Sequence, residues 1–423
     1  MARREVWSFF TGAMGLDLGL ELAGLPATLA VEIDQDCCAT IRNNRPRLDI
    51  WETDISRLIP TDLFARRGNP REVFLMAAGP PCQSFSPGGK RAALSDPRGN
   101  LVYTYLKLIN EVRPRYFIFE NVANIVTAAL KHRPISERPG KHWNLSVYEK
   151  KKIDGHDEAP MQPDELSGSA IRQVFADMSG LGYHLNLAVV DAADFGAAQH
   201  RLRFVMLGAR NGSAPKIPSP THGEFSPERI PYRTVRDAIH DIRQDPGPHS
   251  EYTSAVARFF VMVPEGGNWR HLPKELQPEA MGPSYEAGGG KTGFYRRLSW
   301  GEPSPTITGR SNRKGSAVCH PEFVRPLSVR ECARLQGFPD DWEFVGSMSQ
   351  QYQQVGNAVP VQLGIALGRA VLGHKDRTKK PHSQTGTDLE RMLGAAVARL
   401  RASARNKKSR ANEAPLFAAI TGG

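Results

Sequence analysis

Residues 5–33 read EVWSFFTGAMGLDLGLELAGLPATLAVEI, and the predicted fold depends on this stretch. Residues 5–10 form a short apolar run typical of a buried strand, and residues 16–23 are apolar-rich and are followed by a glycine, as many helices are. A glycine-containing turn at 11–15 joins them, and a second strand is predicted over 27–33. A strand, a glycine turn, a helix and a second strand bring main-chain N–H groups and a helix N-terminus to a cofactor.

The turn and the end of the second strand together predict a nucleoside-binding corner. Glu32 lies at the end of that strand, 20 residues after Gly12, and an acidic residue there is suited to binding ribose hydroxyls. The turn is not a phosphate-binding GxGxxG loop, because Gly12 and Gly15 are its only glycines. An ordinary strand-to-helix connection with a surface Glu is the alternative interpretation.

The alternation of strands and helices continues through the first half of the chain. Further strands are predicted over 50–55, 73–78, 115–122, 183–191 and 204–208, and helices over 35–43, 101–111 and 170–181. This alternation predicts an α/β fold with a doubly wound, mostly parallel sheet. The carboxyl ends of parallel strands share one edge, and open α/β sheets bind their ligands there.

A cysteine follows the fourth predicted strand on a rigid turn. Pro80 and Pro81 cannot continue a strand, so the chain turns and presents the Cys82 thiol near the tip of the turn. Most free cysteines are small buried apolar residues, and that is the alternative for Cys82. Its surroundings favour a nucleophile, because several functional residue types end predicted strands at the same edge. They are Gly12, Glu32, Asp54, Cys82 and Glu120.

Composition limits the class of protein. The chain has 423 residues, of which 40% are hydrophobic and 23% charged, as is typical of a globular protein with two or more domains. No apolar run approaches the roughly 18 residues of a membrane span, and no signal peptide is predicted. The five cysteines include no CxxC pair, so we expect a reducing cytoplasm and neither disulfides nor a metal site.

The net charge of +11 suggests a polyanionic partner, but much of it lies in the tail. Residues 374–423 contain 11 Lys and Arg against 4 Asp and Glu, so the tail carries +7 and the body only +4. The basic isoelectric point is therefore weak support for nucleic-acid binding by the body. Apolar residues at helical spacing over 389–400 indicate a helix in the tail, which we expect to be a flexible, solvated appendage.

The alternation of strands and helices stops after about residue 210. Proline and glycine become frequent, and aromatic and arginine residues interleave over 268–271 and 294–300. That composition is typical of an irregular domain that contacts nucleic acid, and equally of a loop-rich subdomain. A later helix is predicted to begin at a capping box of Ser328 and Glu331. The predicted divisions are a catalytic and cofactor-binding domain at 1–210 with an insertion at 131–166, a target-recognition domain at 211–345, a C-terminal helix at 346–373 that returns to the catalytic domain, and the basic tail at 374–423.

Six segments, in order along the chain, resemble the motifs of the cytosine-C5 DNA methyltransferase family of the bacterial restriction-modification type. They are Phe10-Thr11-Gly12-Ala13-Met14-Gly15-Leu16, Gly79-Pro80-Pro81-Cys82-Gln83-Ser84-Phe85-Ser86, Glu120-Asn121-Val122, Gln199-His200-Arg201-Leu202-Arg203, Arg330-Glu331-Cys332-Ala333-Arg334-Leu335-Gln336-Gly337-Phe338-Pro339 and Gly356-Asn357-Ala358-Val359-Pro360. One residue departs from the pattern, because Met14 stands where the family usually has glycine. We therefore expect the main chain at Met14 to avoid a glycine-only conformation.

The resemblance implies a Rossmann-like fold that binds S-adenosyl-L-methionine as methyl donor, with no metal ion. It implies that Cys82 adds to cytosine carbon 6 and that Glu120 binds the base, with Arg203, Arg201 and Gln199 completing the catalytic set. The residues expected to contact the cofactor are Phe10, Gly12, Gly15, Leu16, Glu32, Asp54, Ile55, Asn357 and Val359. The implied substrate is a cytosine flipped out of double-stranded DNA, and a cognate restriction endonuclease acting on the same site is an expected partner.

Three other functions share part of this pattern. A nucleotide-dependent oxidoreductase would also use Glu32, but it needs the GxGxxG loop that residues 11–15 lack. A DNA-binding module without activity would need neither Cys82 nor Glu120. A tRNA cytosine-5 methyltransferase is the closest alternative, because its catalytic residues would be the same. The long region at 211–345 and the basic tail favour duplex DNA.

Overall fold

The computed structural model describes residues 4–81, 100–131, 162–286, 293–310, 318–375, 384 and 386–413, with side chains to residue 404. The strands are β1 Val6–Phe9, β2 Leu29–Glu32, β3 Asp49–Glu52, β4 Leu75–Ala78, β5 Tyr116–Val122, β6 His184–Asp191, β7 Leu202–Ala209, β8 Arg296–Arg297 and β9 Val318–Cys319. The α-helices are α1 Gly15–Leu22, α2 Gln35–Asn44, α3 Pro60–Arg66, α4 Asn100–Val112, α5 Ser169–Gly180, α6 Val235–Ile239, α7 Ser254–Met262, α8 Gln277–Met281, α9 Val329–Gln336, α10 Met348–Asn357, α11 Val361–Leu372 and α12 Gly386–Glu413.

Strands β1 to β7 form one sheet in the order β3-β2-β1-β4-β5-β7-β6. Neighbouring strands are parallel from β3 to β5, whereas β7 runs antiparallel to both β5 and β6. The doubly wound, mostly parallel α/β sheet predicted from the sequence is confirmed, with β7 as its antiparallel member. The strand order reverses between β1 and β4, and the crevice at such a reversal is where open α/β sheets bind ligands.

Helices cover both faces of the sheet, and the parallel strands are accordingly apolar on both sides. On one face, α1 and α11 pack over a cluster that includes Val6, Leu75 and Ile118. On the other face, α4, α5 and α12 pack over a cluster that includes Trp7 and Phe117. The carboxyl edge of the sheet is therefore held between two packed layers.

Helix α11 lies close to α1 because glycines face each other where the two helices meet. A Cβ atom on Gly19 would lie 2.3 Å from the carbonyl oxygen of Val361, and one on Gly364 would lie 2.5 Å from that of Leu16. Only a residue without a side chain allows main chains to approach this closely. The contact holds residues 361–372 against α1, the helix that follows the glycine-containing turn at 11–15, hereafter the cofactor turn.

The prediction that no apolar run approaches a membrane span is wrong by length and composition, because residues Met348–Leu372 have those of a membrane-spanning helix. In the structure this stretch is two helices, α10 and α11, which are separated by Ala358–Pro360. Of its most apolar window, 61% is buried inside the protein. Packing against α1 therefore accounts for the apolar composition, as in the core helix of a globular protein.

The second half of the chain is less regular than the sheet. Strands β8 and β9 form a short parallel pair, and a separate apolar cluster surrounds Phe260 and Tyr295. Helix α9 begins at the predicted capping box, in which Ser328 and Glu331 accept hydrogen bonds from each other's main-chain N–H groups. The side chains of α9 share a cluster with Met14 of the cofactor turn.

The predicted domain limits at 210 and 345 stay a prediction. Helix α9 lies before the second limit but packs on α10, which lies after it. Of the predicted insertion at 131–166, residues 132–161 lie outside the described residues.

The basic tail contains a helix that packs on the sheet, so the expectation of a flexible, solvated appendage is wrong for residues 386–404. Leu389, Met392, Leu393 and Ala396 of α12 are buried in the cluster that includes Trp7. Just before α12, the Gln384 side chain forms hydrogen bonds to the main chain of β6, the edge strand of the sheet. Edge strands carry unpaired main-chain groups that need covering. The many arginines of the tail favoured a solvated helix, whereas its apolar residues at helical spacing pack on the sheet.

Truncation of a buried α12 side chain should destabilise the protein. We expect Leu393→Ala to lower the free energy of unfolding by about 2 to 4 kcal/mol, because it opens a cavity in the main core. Leu22→Ala is the matched control, since Leu22 is 62% exposed. The same truncation there should cost less than about 0.5 kcal/mol. Urea denaturation followed by circular dichroism measures both, and equal losses would contradict the packing of α12.

Candidate active site

The carboxyl edge of the sheet opens into a cavity of about 390 Å³. All the residues predicted to contact the cofactor line it: Phe10, Gly12, Gly15, Leu16, Glu32, Asp54, Ile55, Asn357 and Val359. Glu120 and Arg203 of the predicted catalytic set line it too, whereas Gln199 and Arg201 do not. The fold thus brings residues from both ends of the chain to one cavity.

The turn after β1 is built from residues with left-handed backbone. Phe10, Gly12 and Met14 have φ angles of 53°, 54° and 67°. As the N-cap residue of α1, Met14 has φ 67° and ψ 22°, in the left-handed region. This region favours glycine but admits other residues, so Met14 avoids a glycine-only conformation, as expected. That conformation costs a non-glycine residue about 1 to 2 kcal/mol. Burial of the Met14 side chain, which is only 2% exposed, offsets this cost.

Glu32 connects the cofactor turn to the end of β2. One carboxylate oxygen accepts a hydrogen bond from the main-chain N–H of Gly12 at 2.7 Å. The other accepts from the N–H groups of Ile33 and Asp34, at 2.8 and 2.9 Å. Burial raises the pKa of Glu32, although these three donors partly oppose the effect. A carboxylate offers about four lone-pair sites, so Glu32 can still accept from a ligand hydroxyl.

Asp54 and Ile33 lie at the same end of the cavity as Glu32. Strand β3 ends at Glu52, earlier than predicted, and Asp54 caps the short turn that follows by accepting from the Ser56 N–H at 2.8 Å. Ile33 lines the cavity and is 61% exposed. An exposed apolar side chain at a cavity mouth is suited to contact the flat face of a base. Ile33 is not among the residues predicted to contact the cofactor, although its place directly after Glu32 at the carboxyl edge is a usable signal.

Glu120 and Arg203 form a buried ion pair between β5 and β7, with 2.7 Å between Glu120 Oε1 and Arg203 Nε. The arginine N–H is not aligned with this oxygen, which has no hydrogen-bond partner among the residues that the structure describes. Burial raises the pKa of Glu120, and the nearby Arg203 and Arg201 partly oppose that rise. Glu120 is therefore a buried carboxyl group that can accept from a ligand, or donate to one when protonated.

The turn that leads to Cys82 is attached to β5. Asn121 donates from Nδ2 to the carbonyl oxygen of Pro80 at 3.2 Å, and its Oδ1 accepts from the main-chain N–H of Val122. Pro80 and Pro81 line the cavity. Cys82 itself lies outside the described residues, so its role stays a prediction from the sequence. Asn121 is thus a positioning residue, and it was not among the predicted catalytic or cofactor-binding residues.

Gln199 and Arg201 hold late segments in place instead of lining the cavity. Arg201 donates to the carbonyl oxygens of Ile307 and Gly356, both at 2.9 Å, and Gln199 donates to residues of α9. Strand alternation had placed both on one face with Arg203, but β7 begins only after them. Both are almost completely buried. Each anchors a segment that reaches the cavity or supports it, and the catalytic role assigned to both stays a prediction.

The sequence comparisons agree with this geometry. The family model for C-5 cytosine-specific DNA methylases matches residues 5–134 and 164–373. The chain belongs to this family. The match is interrupted over residues 135–163, which lie within the insertion predicted at 131–166.

Relatives of the methylase carry the corresponding activity in their names. It is 36% identical over 381 residues to the Type II methyltransferase M.Eco47II of Escherichia coli, covering 89% of this chain and 80% of that protein. It is 33% identical over 372 residues to the Type II methyltransferase M.Sau96I of Staphylococcus aureus, covering 87% and 75%.

A solved structure shares the fold of the methylase. A prophage-encoded protein of E. coli, described as a DNA modification methyltransferase, superimposes with a TM-score of 0.60 at 21% identity, covering 88% of this chain and 99% of that one. Together with the family match, these comparisons confirm the resemblance found in the sequence. The methylase is a DNA (cytosine-5-)-methyltransferase.

Gly79 lets the cysteine turn pass close to Glu120. A Cβ atom at this position would lie 2.9 Å from Glu120 Oε2. We expect Gly79→Ala to displace the carboxyl group and lower kcat for DNA methylation about 10-fold or more, because active-site groups must be held to within about 0.5 Å. Gly301→Ala is the control, since no atom of the described residues lies within 4 Å of the added methyl group there. Equal kcat values in the two variants would show that the close approach is not needed.

Proposed function

We propose that the methylase transfers a methyl group from S-adenosyl-L-methionine to carbon 5 of a cytosine flipped out of double-stranded DNA. The observation that carries this proposal is one cavity with two different ends. At one end the buried pair of Glu120 and Arg203 suits the polar edge of a nucleobase. At the other end Glu32 and Asp54 suit a nucleoside cofactor. The turn to Cys82 starts beside the base end, since Gly79 lies against Glu120.

The residues present fit S-adenosylmethionine. Among the described residues, no heavy atom lies within 4 Å of the place where a Cβ of Gly12 would be, so the turn can approach a ligand closely. We infer that Glu32 holds the ribose hydroxyls and that Ile33 and Asp54 hold the adenine. Asn357 lines the cavity from the late segment that Arg201 anchors. When bound, the cofactor supplies an electrophilic methyl group on a sulfonium centre.

Covalent addition explains the need for a cysteine. Carbon 5 of cytosine is a weak nucleophile. The Cys82 thiolate forms a bond to carbon 6, and the electron pair of the carbon 5–carbon 6 double bond shifts to give an enamine that takes the methyl group at carbon 5. Loss of the carbon 5 proton to a base then restores the double bond and expels the Cys82 thiolate. The thiolate is thus regenerated at the end of the cycle.

Glu120 supports the addition by hydrogen bonding to the base. In its protonated form it donates to the ring nitrogen, while its second oxygen accepts from the exocyclic amine. Burial raises the pKa of Glu120, and a raised pKa favours the protonated form. Arg203 fixes the carboxyl group from the neighbouring strand.

Base flipping follows from the position of the reaction centre. Carbons 5 and 6 of cytosine cannot be reached by a buried cavity while the base is stacked in a duplex, and methyltransferases extrude their target base for this reason. We infer that the irregular region at 211–345 reads the sequence around the target base. Its aromatic and arginine residues interleave over 268–271 and 294–300, and such side chains can contact bases, which specify the site, and phosphates, which position the protein.

We further infer that the methylase is the cytoplasmic modification enzyme of a restriction-modification system. Both named relatives are Type II methyltransferases. The inferred partner is an endonuclease that cleaves the same site when it is unmethylated.

Two measurements test the proposed function. Expression in cells without cytosine methylation, followed by bisulfite sequencing, should show 5-methylcytosine at one short recognition sequence. Purified methylase with labelled S-adenosylmethionine should label duplex DNA and leave tRNA unlabelled. Label on tRNA alone would overturn the choice of substrate, and label on neither, with folded protein, would overturn the proposed function.

A further inference from the structure

Asp17 is a buried acidic residue that the reaction described above does not use. It is the third residue of α1, and it is only 1% exposed. Its carboxyl group interacts with the Ser8 hydroxyl and with its own main-chain N–H. Its Oδ1 atom has no hydrogen-bond partner among the described parts of the chain. A buried polar atom without a partner is destabilising, so its presence calls for a reason.

The Asp17 carboxyl group belongs to the same cavity as the active site. Asp17 and Ser8 both line the cavity, together with Glu32 at one end and Glu120 at the other. Ser8 is aligned with Ala77, and Ala77 with Ile118, which lies two residues before Glu120. Residues two apart in a strand point to the same face of a sheet. Ser8, which holds Asp17, therefore lies on the same face as Glu120.

The charge of the cavity indicates the kind of ligand. Acidic side chains line it throughout: Asp17, Glu32, Asp34, Asp36, Asp54 and Glu120. Among the described residues that line the cavity, the basic side chain is Arg203, and it is paired with Glu120. A cavity with this balance of charge favours a cationic ligand.

The other acidic groups already have partners within the protein. Glu32 accepts from three main-chain N–H groups, Asp34 accepts from the N–H of Cys37, and Asp54 from that of Ser56. Asp36 is hydrogen-bonded to a glutamine of α10. Glu120 is assigned to the base. Asp17 thus remains as the buried carboxylate with an acceptor atom to offer to a cation.

We propose that the Asp17 carboxylate pairs with a cationic centre of the methyl donor, a role that rests on the proposed use of S-adenosylmethionine. The donor carries two such centres, the sulfonium and the α-ammonium group. The demethylated product, S-adenosylhomocysteine, keeps the ammonium group and lacks the sulfonium charge. Burial raises the pKa of Asp17 to about 6, which is still below neutral pH, so the carboxyl group is ionised there. Its charge is poorly solvated because it is buried, and a nearby cation would stabilise that charge in place of water.

Isothermal titration calorimetry on the full chain tests the proposal without relying on turnover. We expect Asp17→Asn to bind S-adenosylmethionine about 10- to 100-fold more weakly than the wild type, as is typical for loss of a charge-assisted contact. An equal loss for S-adenosylhomocysteine assigns the contact to the ammonium group. A loss of less than about two-fold for that product assigns it to the sulfonium.

Two further variants keep the test decisive. Asp17→Ala removes the carboxyl group altogether and should show the same loss, and the melting temperature of each ligand-free variant reports whether it is folded. Glu21→Gln is the matched control: it removes a carboxylate one turn further along α1 that pairs with Arg45 at 3.0 Å instead of lining the cavity. It should bind the donor within about two-fold of the wild type.

The failure of each hypothesis has its own signature. If folded Asp17→Asn and Asp17→Ala bind both ligands as tightly as the wild type, Asp17 has no role in donor binding. If the folded wild type binds neither ligand, the choice of S-adenosylmethionine as donor is wrong, and the proposed function fails with it.

Discussion

Replacing Cys82 with alanine is expected to lower the rate of DNA methylation by about 10⁴-fold or more, because alanine has no thiol to add to carbon 6. The variant should still bind S-adenosylmethionine, since the residues that line the cofactor end are untouched. Transfer of labelled methyl groups to duplex DNA measures the loss. The wild type, but not the variant, should also form a covalent complex with DNA that contains 5-fluorocytosine, because fluorine cannot leave carbon 5 as a cation.

Cys332→Ala is the matched control for this experiment. Cys332 is 1% exposed and does not line the cavity, so its loss removes a buried sulfur atom without removing a group from the cavity wall. Burial raises the pKa of the Cys332 thiol far above its ordinary value, which excludes a thiolate there at neutral pH. The control should keep its methylation rate within about three-fold. Turnover by Cys82→Ala near the wild-type rate would remove the covalent mechanism.

Replacing Glu120 with glutamine is expected to lower kcat for methylation by about 10²- to 10³-fold. The amide keeps the size of the side chain and can still form hydrogen bonds, but it cannot share a proton with the base. Burial raises the pKa of Glu120, and the protonated form is the one that donates to the ring. The kcat/KM of the wild type should therefore fall as the pH rises through that raised pKa, and the variant should lack this fall.

The surface pair of Glu72 and Arg210 provides the control for Glu120→Gln. Its atoms are 2.6 Å apart, similar to the pair of Glu120 and Arg203, but it lies away from the cavity. Glu72→Gln should change kcat by less than about two-fold, because exposed ion pairs contribute little. If Glu120→Gln has no larger effect than Glu72→Gln, and both are folded, then Glu120 does not assist the addition.

Much of the site could be predicted from local sequence patterns. The turn after β1, Glu32 at the end of β2 and Glu120 near the end of β5 were placed at one edge because parallel strands end together. The structure confirms that they line one cavity. The capping box of Ser328 and Glu331 was equally readable, because its partners are three residues apart and need no knowledge of the rest of the fold.

Other features could not be predicted in this way. Alternation assigned Gln199 and Arg201 to the catalytic face, but their partners lie in segments more than 100 residues away in the sequence. The tail looked like a charged appendage because its apolar stripe is short. Whether such a stripe is solvated or packed depends on whether the sheet leaves a surface for it, and here α12 packs onto the sheet and β6.

The stretch at 5–33 by itself determined the strand, the turn, the helix and the carboxylate of a cofactor corner, because each depends on spacing over a few residues. Only the tertiary structure decided how that stretch is used. Met14 adopts a left-handed conformation because the apolar cluster around α9 and α10 buries its side chain. Asp17 of α1 is buried where it lines the cavity, and its Oδ1 atom has no partner among the described residues. Burial and the satisfaction of polar groups are properties of the packed whole, and no local pattern contains them.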